Sequence, residues 1–198
     1  EPGTCKDRFI VEQKPHLLLE GMAIACYAAQ ISRAYIYIRG EYFHGARMLD
    51  EAIAELRAEG LLGRDAFGKQ GFELEFHVHR GAGAYICGEE SALMESLEGK
   101  RGYPRMKPPF PAVKGLWQRP TVINNVGTLA TLPLIFVKGV PWFKELGREV
   151  EQKNREGQMV KTVPTTGFIV YCISGHVRKP GNYELPSKVT LRDLVEIA

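Results

Sequence analysis

No run of about 18 apolar residues, the length a bilayer-spanning helix needs, occurs anywhere in the 198 residues. The start has neither a basic stretch nor a following apolar stretch, so it does not read as a signal peptide. Cysteine is scarce. The four residues, Cys5, Cys26, Cys87 and Cys172, form no CxxC pair and none of the spacings that hold zinc or iron–sulfur clusters. No metal site is therefore expected within this segment, and all four are read as buried thiols in a reducing compartment. An excess of one charge is also missing, because 26 basic against 23 acidic residues leave a net charge of only +3. That balance argues against a nucleic-acid partner, which calls for a clustered basic face. An initial Met is absent as well, and the chain stops at Ala198 inside an amphipathic pattern of Leu191, Leu194 and Val195. Both ends read as cut, as in a fragment of a longer protein.

What is present is an ordinary globular composition, 44% hydrophobic and 25% charged, with enough chain for one core or two. EPGTCKDR reads as a turn-like opening. Pro15 and the following His16–Gln30 stretch are apolar on nearly every face, which predicts a helix buried against a sheet. AYIYIRG reads as a short strand. Tyr42–Glu59 places Ala46, Leu49, Ile53 and Leu56 at helical spacing before a stop at Gly60. FELEFHVHR, residues 72–80, alternates with the period of a strand. Strand, helix, strand within that length predicts an α/β domain with parallel pairing, whose site lies where strands end and loops open.

Beyond the second strand, a short helix is predicted over Ser91–Leu97. A Gly/Pro-rich loop over Gly99–Pro120 and a helical NNVGTLATLPLI segment follow. Arg148–Lys161 is charged and poor in apolar residues, the composition of a linker or exposed excursion. FIVYCISG, RKPGNYELP and VTLRDLVEIA then predict a strand, a hairpin-type turn and a helix, as at the start of a β-grasp module. The expected organisation is an α/β domain over 1–147, a linker over 148–164 and the β-grasp start over 165–198. No internal repeat is visible.

Several short motifs carry chemistry, each beside a plainer reading. Gly81-Ala82-Gly83-Ala84 follows a strand and opens towards a helix, so the backbone could approach a phosphate or flat ring closely. It is not GxGxxG, since position 86 is Ile, and a tight turn needs nothing more. Tyr85 could stack on a flavin or nicotinamide ring, or belong to the core or its rim. Glu89 and Glu90 suit a helix N-terminus through the macrodipole, and a carboxylate there could equally accept hydrogen bonds from a ribose diol. In GKRGYPRMKPPFPA, Lys100, Arg101, Arg105 and Lys107 surround a proline-stiffened turn bearing Phe110. That suits pyrophosphate and adenine, or a solvated basic loop. Asn124 and Asn125 could cap the next helix or bond a flavin's polar edge. His77 and His79 have a spacing that could bind metal, but no third ligand lies nearby, and a surface strand is the simpler account.

Taken together, the block from Arg80 to Pro133 resembles the FMN- and NADH-binding flavoprotein subunit of complex I. It is also similar to the diaphorase subunits of NAD-reducing hydrogenases and of NAD-dependent formate dehydrogenases. The likeness extends more weakly over the whole chain, from EPGTCKDR to the SGHVRKPGNYELP of an SLBB-type β-grasp module. It implies a Rossmann-like domain in which Gly83, Tyr85, Gly88, Glu89, Ile123, Asn124, Asn125 and Thr128 line FMN. Glu1, Glu90, Lys107 and Phe110 would face NADH, with Phe110 on the adenine and with Tyr85 and Glu90 where the two ligands meet. The family's glycine-rich segment would precede Glu1, and the cysteines ligating its 4Fe-4S cluster would follow Ala198.

The function so implied is hydride transfer between NADH and FMN, then single-electron transfer to iron–sulfur clusters, with no residue required as acid or base. Expected partners are a thioredoxin-like 2Fe-2S subunit and other iron–sulfur subunits. The expected location is the cytoplasm, or the cytoplasmic or matrix face of a membrane-bound complex. The alternatives are a diaphorase that reduces NAD from formate or hydrogen, and a non-catalytic module that only binds a partner.

Overall fold

Pro15 fixes the first turn of a helix at no cost in hydrogen bonds, because the amide it lacks would have no partner inside the helix. In the computed structural model, which describes residues 5–198, α1 spans Lys6–Gln13 and α2 spans Pro15–Ala29. The expected turn-like opening is thus helical from Lys6 onward. Val11 is buried and Ile10 packs against the same core, so burial overrides a polar start to this helix. Gln30, at φ 56°, ends α2 by bonding its amide to the carbonyls of Cys26 and Tyr27.

β1 (Arg33–Ile38), α3 (Phe43–Ala58) and β2 (Glu75–Arg80) follow. The two strands pair in parallel, from Arg33 opposite Glu75 to Ile38 opposite Arg80, as the strand–helix–strand order predicts. Leu18 and Leu19 of α2, Leu49 of α3, and Leu74 and Phe76 around β2 are fully buried. Each such side chain contributes roughly 1.5–3 kcal/mol, so this helix–sheet layer sustains the unit that carries the site. His77 stacks on Tyr35 and His79 on Tyr37, with ring centroids 5.2 and 5.3 Å apart. Both imidazoles therefore cover the sheet as cross-strand ring pairs. Trp117 meets Tyr35 edge-on at 5.5 Å.

α4 (Glu90–Leu97), the four-residue α5 (Pro111–Lys114) and the first turn of α6 (Val126–Lys138) complete this region. The chain divides into two compact units, residues 10–130 and residues 5–9 with 131–198. The second contains α7 (Val140–Glu145), the antiparallel pair β3 (Val150–Lys153) and β4 (Met159–Thr162), the antiparallel pair β5 (Phe168–Ile173) and β6 (Gly181–Pro186), and α8 (Leu191–Ile197). A Thr190–Asp193 capping box starts α8. Trp142 lies 6.3 Å from the Phe168 ring, with the Lys138 ammonium 4.7 Å above its own ring.

The stretch read as linker or excursion is a β-hairpin. Asn154 turns it, its side-chain oxygen accepting the amides of Glu156 and Gln158 at 3.0 and 2.9 Å. The cysteines differ from expectation. Cys26 and Cys87 are buried, and burial pushes the Cys26 thiol up to about 11. Cys172 is exposed on β5 and Cys5 is half-buried, with their sulfurs 2.8 Å apart as thiols. A two-stranded ribbon has too little cover to bury both faces. Among the described residues no helix is long and apolar enough to cross a membrane.

Candidate functional site

At the end of β2 the Gly81 amide still bonds to the Ile38 carbonyl at 2.8 Å, and the chain then turns away from the sheet. A Cβ on Gly81 would lie 2.6 Å from the Tyr37 hydroxyl, so the turn hugs β1 only because that atom is missing. Gly83 has φ +84°, a backbone region L side chains rarely adopt. Tyr85, Ile86, Cys87 and Gly88 form a short 3-10 turn in which only Cys87 is buried. Tyr85 is 82% exposed, which leaves its ring open as a stacking surface.

Glu89 is the N-cap of α4, its Oε2 accepting the amides of Ser91 and Ala92 at 2.9 Å each, together with the Ser91 hydroxyl. Partial desolvation pushes the carboxyl up, but the Ser91 and Ala92 donors and the Lys107 ammonium outweigh it and hold its pKa at about 2. Glu89 is therefore a fixed anion. Lys107 Nζ lies 3.3 Å from Glu89 Oε1 and donates a still closer hydrogen bond to Glu90 Oε1. Pairing with Glu90, above all, raises the Lys107 pKa. Glu89, Glu90 and Lys107 thus form one cluster, its two carboxylates outnumbering a single ammonium.

The loop that supplies Lys107 is tied down at Arg105. Its guanidinium bonds Glu95 Oε1 at 2.5 Å, Glu98 Oε1 at 2.7 Å and the Gly115 carbonyl at 2.9 Å, while its amide bonds the Ser91 hydroxyl at 2.8 Å. Glu98 also accepts from Lys100 and from the Trp117 amide, both at 2.8 Å. Burial pushes the Glu98 carboxyl up, yet those donors prevail and leave it at about 2. Phe110 precedes α5 and is 59% exposed, presenting its ring to solvent like Tyr85.

The remaining expected site residues are placed less closely together. Gly88 is exposed in the short turn before Glu89. Asn125 caps the start of α6, its Oδ1 accepting the Gly127 amide at 2.9 Å, and Thr128 is exposed one turn on. Ile123 and Asn124 line a cavity of about 880 Å³ walled by β1, α2, α4 and the Trp117–Thr121 segment; residues 83–90 take no part in its lining. Glu1 lies outside the described residues. Among those described, no three His, Cys, Asp or Glu side chains group as metal ligands would.

Sequence reasoning missed Ser91 and the roles of Glu95 and Glu98. Two carboxylates three apart share a helix face, so their spacing could have pointed to a cationic partner such as Arg105. Nothing comparable marks Ser91, since a serine at a helix start needs no special reason.

This arrangement, on an α/β scaffold followed by a β-hairpin module, defines a class. The chain belongs to the Nuo51 FMN-binding domain family, whose profile matches residues 1–134, and an SLBB domain profile matches residues 170–198. Within that class it is 53% identical to an NADH-quinone oxidoreductase component of Rhizobium meliloti over 196 residues, covering 99% of this chain and 43% of that protein. The NADH-quinone oxidoreductase counterpart of Aquifex aeolicus is 50% identical over 195 residues, covering 98% of this chain and 42% of that protein. The chain thus spans less than half the length of these relatives. Among solved structures, an air-oxidised NAD+-reducing NiFe hydrogenase aligns with a TM-score of 0.80 at 38% identity, over all of this chain and 30% of that one.

Proposed function

We propose that this chain is the ligand-holding portion of an NADH-oxidising flavoprotein subunit, part of a multisubunit NADH dehydrogenase. The observation that carries the reading is the Glu89–Glu90–Lys107 cluster, which follows the Gly81–Ala84 turn and the exposed ring of Tyr85 along the chain. FMN, when bound, supplies the capacity to take a hydride from NADH and release the electrons singly to iron–sulfur clusters. The residues present suit it. Gly83 lets the backbone come close to a flat ring, and Glu89 and Gly88 sit at the adjoining helix start. Ile123, Asn124, Asn125 and Thr128 are proposed to complete the FMN pocket, with the Asn amides offering donors to its polar atoms.

For NADH, Lys107 is a fixed cation for the pyrophosphate, Phe110 a platform for adenine and Glu90 an acceptor for ribose hydroxyls. Glu1 is proposed to border the same nucleotide. These residues bind and orient. Holding two rings in contact is the contribution that proximity demands, and no proton has to be moved by a side chain. The proposed domain limits are 1–147 for the ligand-binding part and 165–198 for the start of the SLBB-type module. A thioredoxin-like 2Fe-2S subunit and other iron–sulfur subunits are the proposed partners. The 4Fe-4S cluster would be held by residues outside this segment.

The relatives support quinone reduction first, since identity is higher to the NADH-quinone oxidoreductase proteins than to the hydrogenase. The structural likeness to the NAD+-reducing hydrogenase favours a second reading, in which the same site makes NADH from a reduced partner. The deciding experiment is purification of the full-length subunit with its partners. Bound FMN and NADH-dependent reduction of ferricyanide are expected. A flavin-free preparation that leaves NADH untouched would overturn the reading.

A further inference from the structure

Ser91 is 1% exposed, the one polar side chain buried to that degree among the described residues. Its hydroxyl sits between two groups whose roles are fixed. The Arg105 amide can only donate, and it does so to Ser91 Oγ at 2.8 Å. Glu89, ionised at any ordinary pH, can only accept, so the hydroxyl proton must point to its Oε2. The direction of both hydrogen bonds is therefore determined, and the capacity of the hydroxyl to link the two groups is fully used.

The two groups belong to different halves of the proposed site. Glu89 is on the flavin side. Arg105 is two residues before Lys107, on the loop proposed to hold NADH, and its side chain fastens the far side of that loop to Glu95, Glu98 and the Gly115 carbonyl. Ser91 Oγ is the near-side fastening. We propose that Ser91 is a positioning residue that locks the nucleotide-holding loop to the flavin-side carboxylate Glu89, so that one hydroxyl sets the spacing of the two ligand subsites. The inference rests on the function proposed above.

Without the hydroxyl, the Arg105 amide faces a wall with no acceptor, and the loop is held only by long side chains that allow it to rock. Lys107 then has no fixed distance to the pyrophosphate. Glu89 keeps the amides of Ser91 and Ala92, so the flavin side loses less. The signature is a Michaelis constant that moves without the turnover number.

The test compares Ser91→Ala and Ser91→Thr with the parent in the full-length, FMN-loaded subunit within its complex, reading NADH oxidation by ferricyanide, flavin content and melting temperature. In S91A the KM for NADH should rise about tenfold, the share of one buried hydrogen bond, with kcat within about twofold and flavin retained. S91T restores the hydroxyl and should return KM to the parent value. A serine that serves only the helix start would lower the melting temperature of S91A and leave KM alone, which would overturn the proposal. So would an S91T as impaired as S91A, or loss of flavin from S91A. If S91A does not accumulate as folded protein, S91T against the equally shaped S91V reads the same hydroxyl. A parent without FMN or NADH oxidation is a distinct result that would fail the functional reading itself and the inference with it.

Discussion

Arg105 Nη2 lies 2.7 Å from Glu98 Oε1, and the side chain of Glu98 is only 4% exposed. Because this pair and its neighbours hold the basic loop from within, deleting the carboxylate should cost more than a surface ion pair would. Glu98→Ala is expected to lower stability by about 1–3 kcal/mol, since the guanidinium keeps Glu95 but loses a buried acceptor. Denaturant unfolding of the full-length subunit would measure it. A midpoint equal to the parent's would contradict the assigned role.

Two carboxylates, Glu89 and Glu98, set an acid limit. Glu89 and Glu98 both stand near 2, below the ordinary 4.5. A depressed carboxyl contributes stability that is complete above its unfolded value and is lost as pH falls through its folded value. Stability should therefore decline from about pH 4.5 towards 2 in the parent. In Glu98→Gln that decline should be shallower. Melting temperatures across this window would reveal an error if both proteins fell in parallel.

At Gly83 two constraints coincide, because φ is +84° and a Cβ would come 3.0 Å from Glu41 Oε1. Gly83→Val strains the turn and fills the space a flat ring would need. A folded subunit without flavin absorbance is expected. Full flavin occupancy would show that the ring does not approach this turn.

Glu90 is proposed to accept the hydroxyls of the adenosine ribose, and a 2′-phosphate placed there would be repelled by its carboxylate, while the pyrophosphate meets Lys107. Glu90→Gln should raise kcat/KM for NADPH relative to NADH, even while NADH itself is used slightly less well. If Glu90 served only the helix N-terminus, stability would drop modestly and the ratio would stay put. Steady-state kinetics with both cofactors separate the two outcomes.

Phe110 offers an exposed ring ahead of α5. Phe110→Ala should weaken NADH binding by about 1–3 kcal/mol through lost stacking on adenine. Titration calorimetry with NADH checks this, and an unchanged dissociation constant would remove Phe110 from the site.

The parallel β1–β2 pair, α2, α3 and the turn after β2 were legible because burial there follows simple periodicities. Leu49 and Ile53 recur at helical spacing, and Phe76 and Val78 alternate with His77 and His79. The hairpin over residues 150–162 was not, because its stability comes from cross-strand pairing and an Asn154 turn and not from an apolar face. Glu89 and Glu90 were placed correctly at a helix start by their charge. That Glu89 caps the helix while also gripping Lys107 depends on a loop 18 residues on folding back, a long-range event with no local signature. Ser91 is hidden for the same reason. The ligand assignments came from the family resemblance and not from periodicity.

The two tryptophans are distributed one to each compact unit, Trp117 against Tyr35 and Trp142 beneath Lys138. Emission spectroscopy can exploit this division without any label. Within this segment, Trp117→Phe leaves indole emission from the hairpin-bearing unit alone, and Trp142→Phe leaves it from the unit with the glycine turn. Quenching by an added flavin or nucleotide could then be assigned to one half of the chain, and the order in which the halves melt could be followed by colour shift.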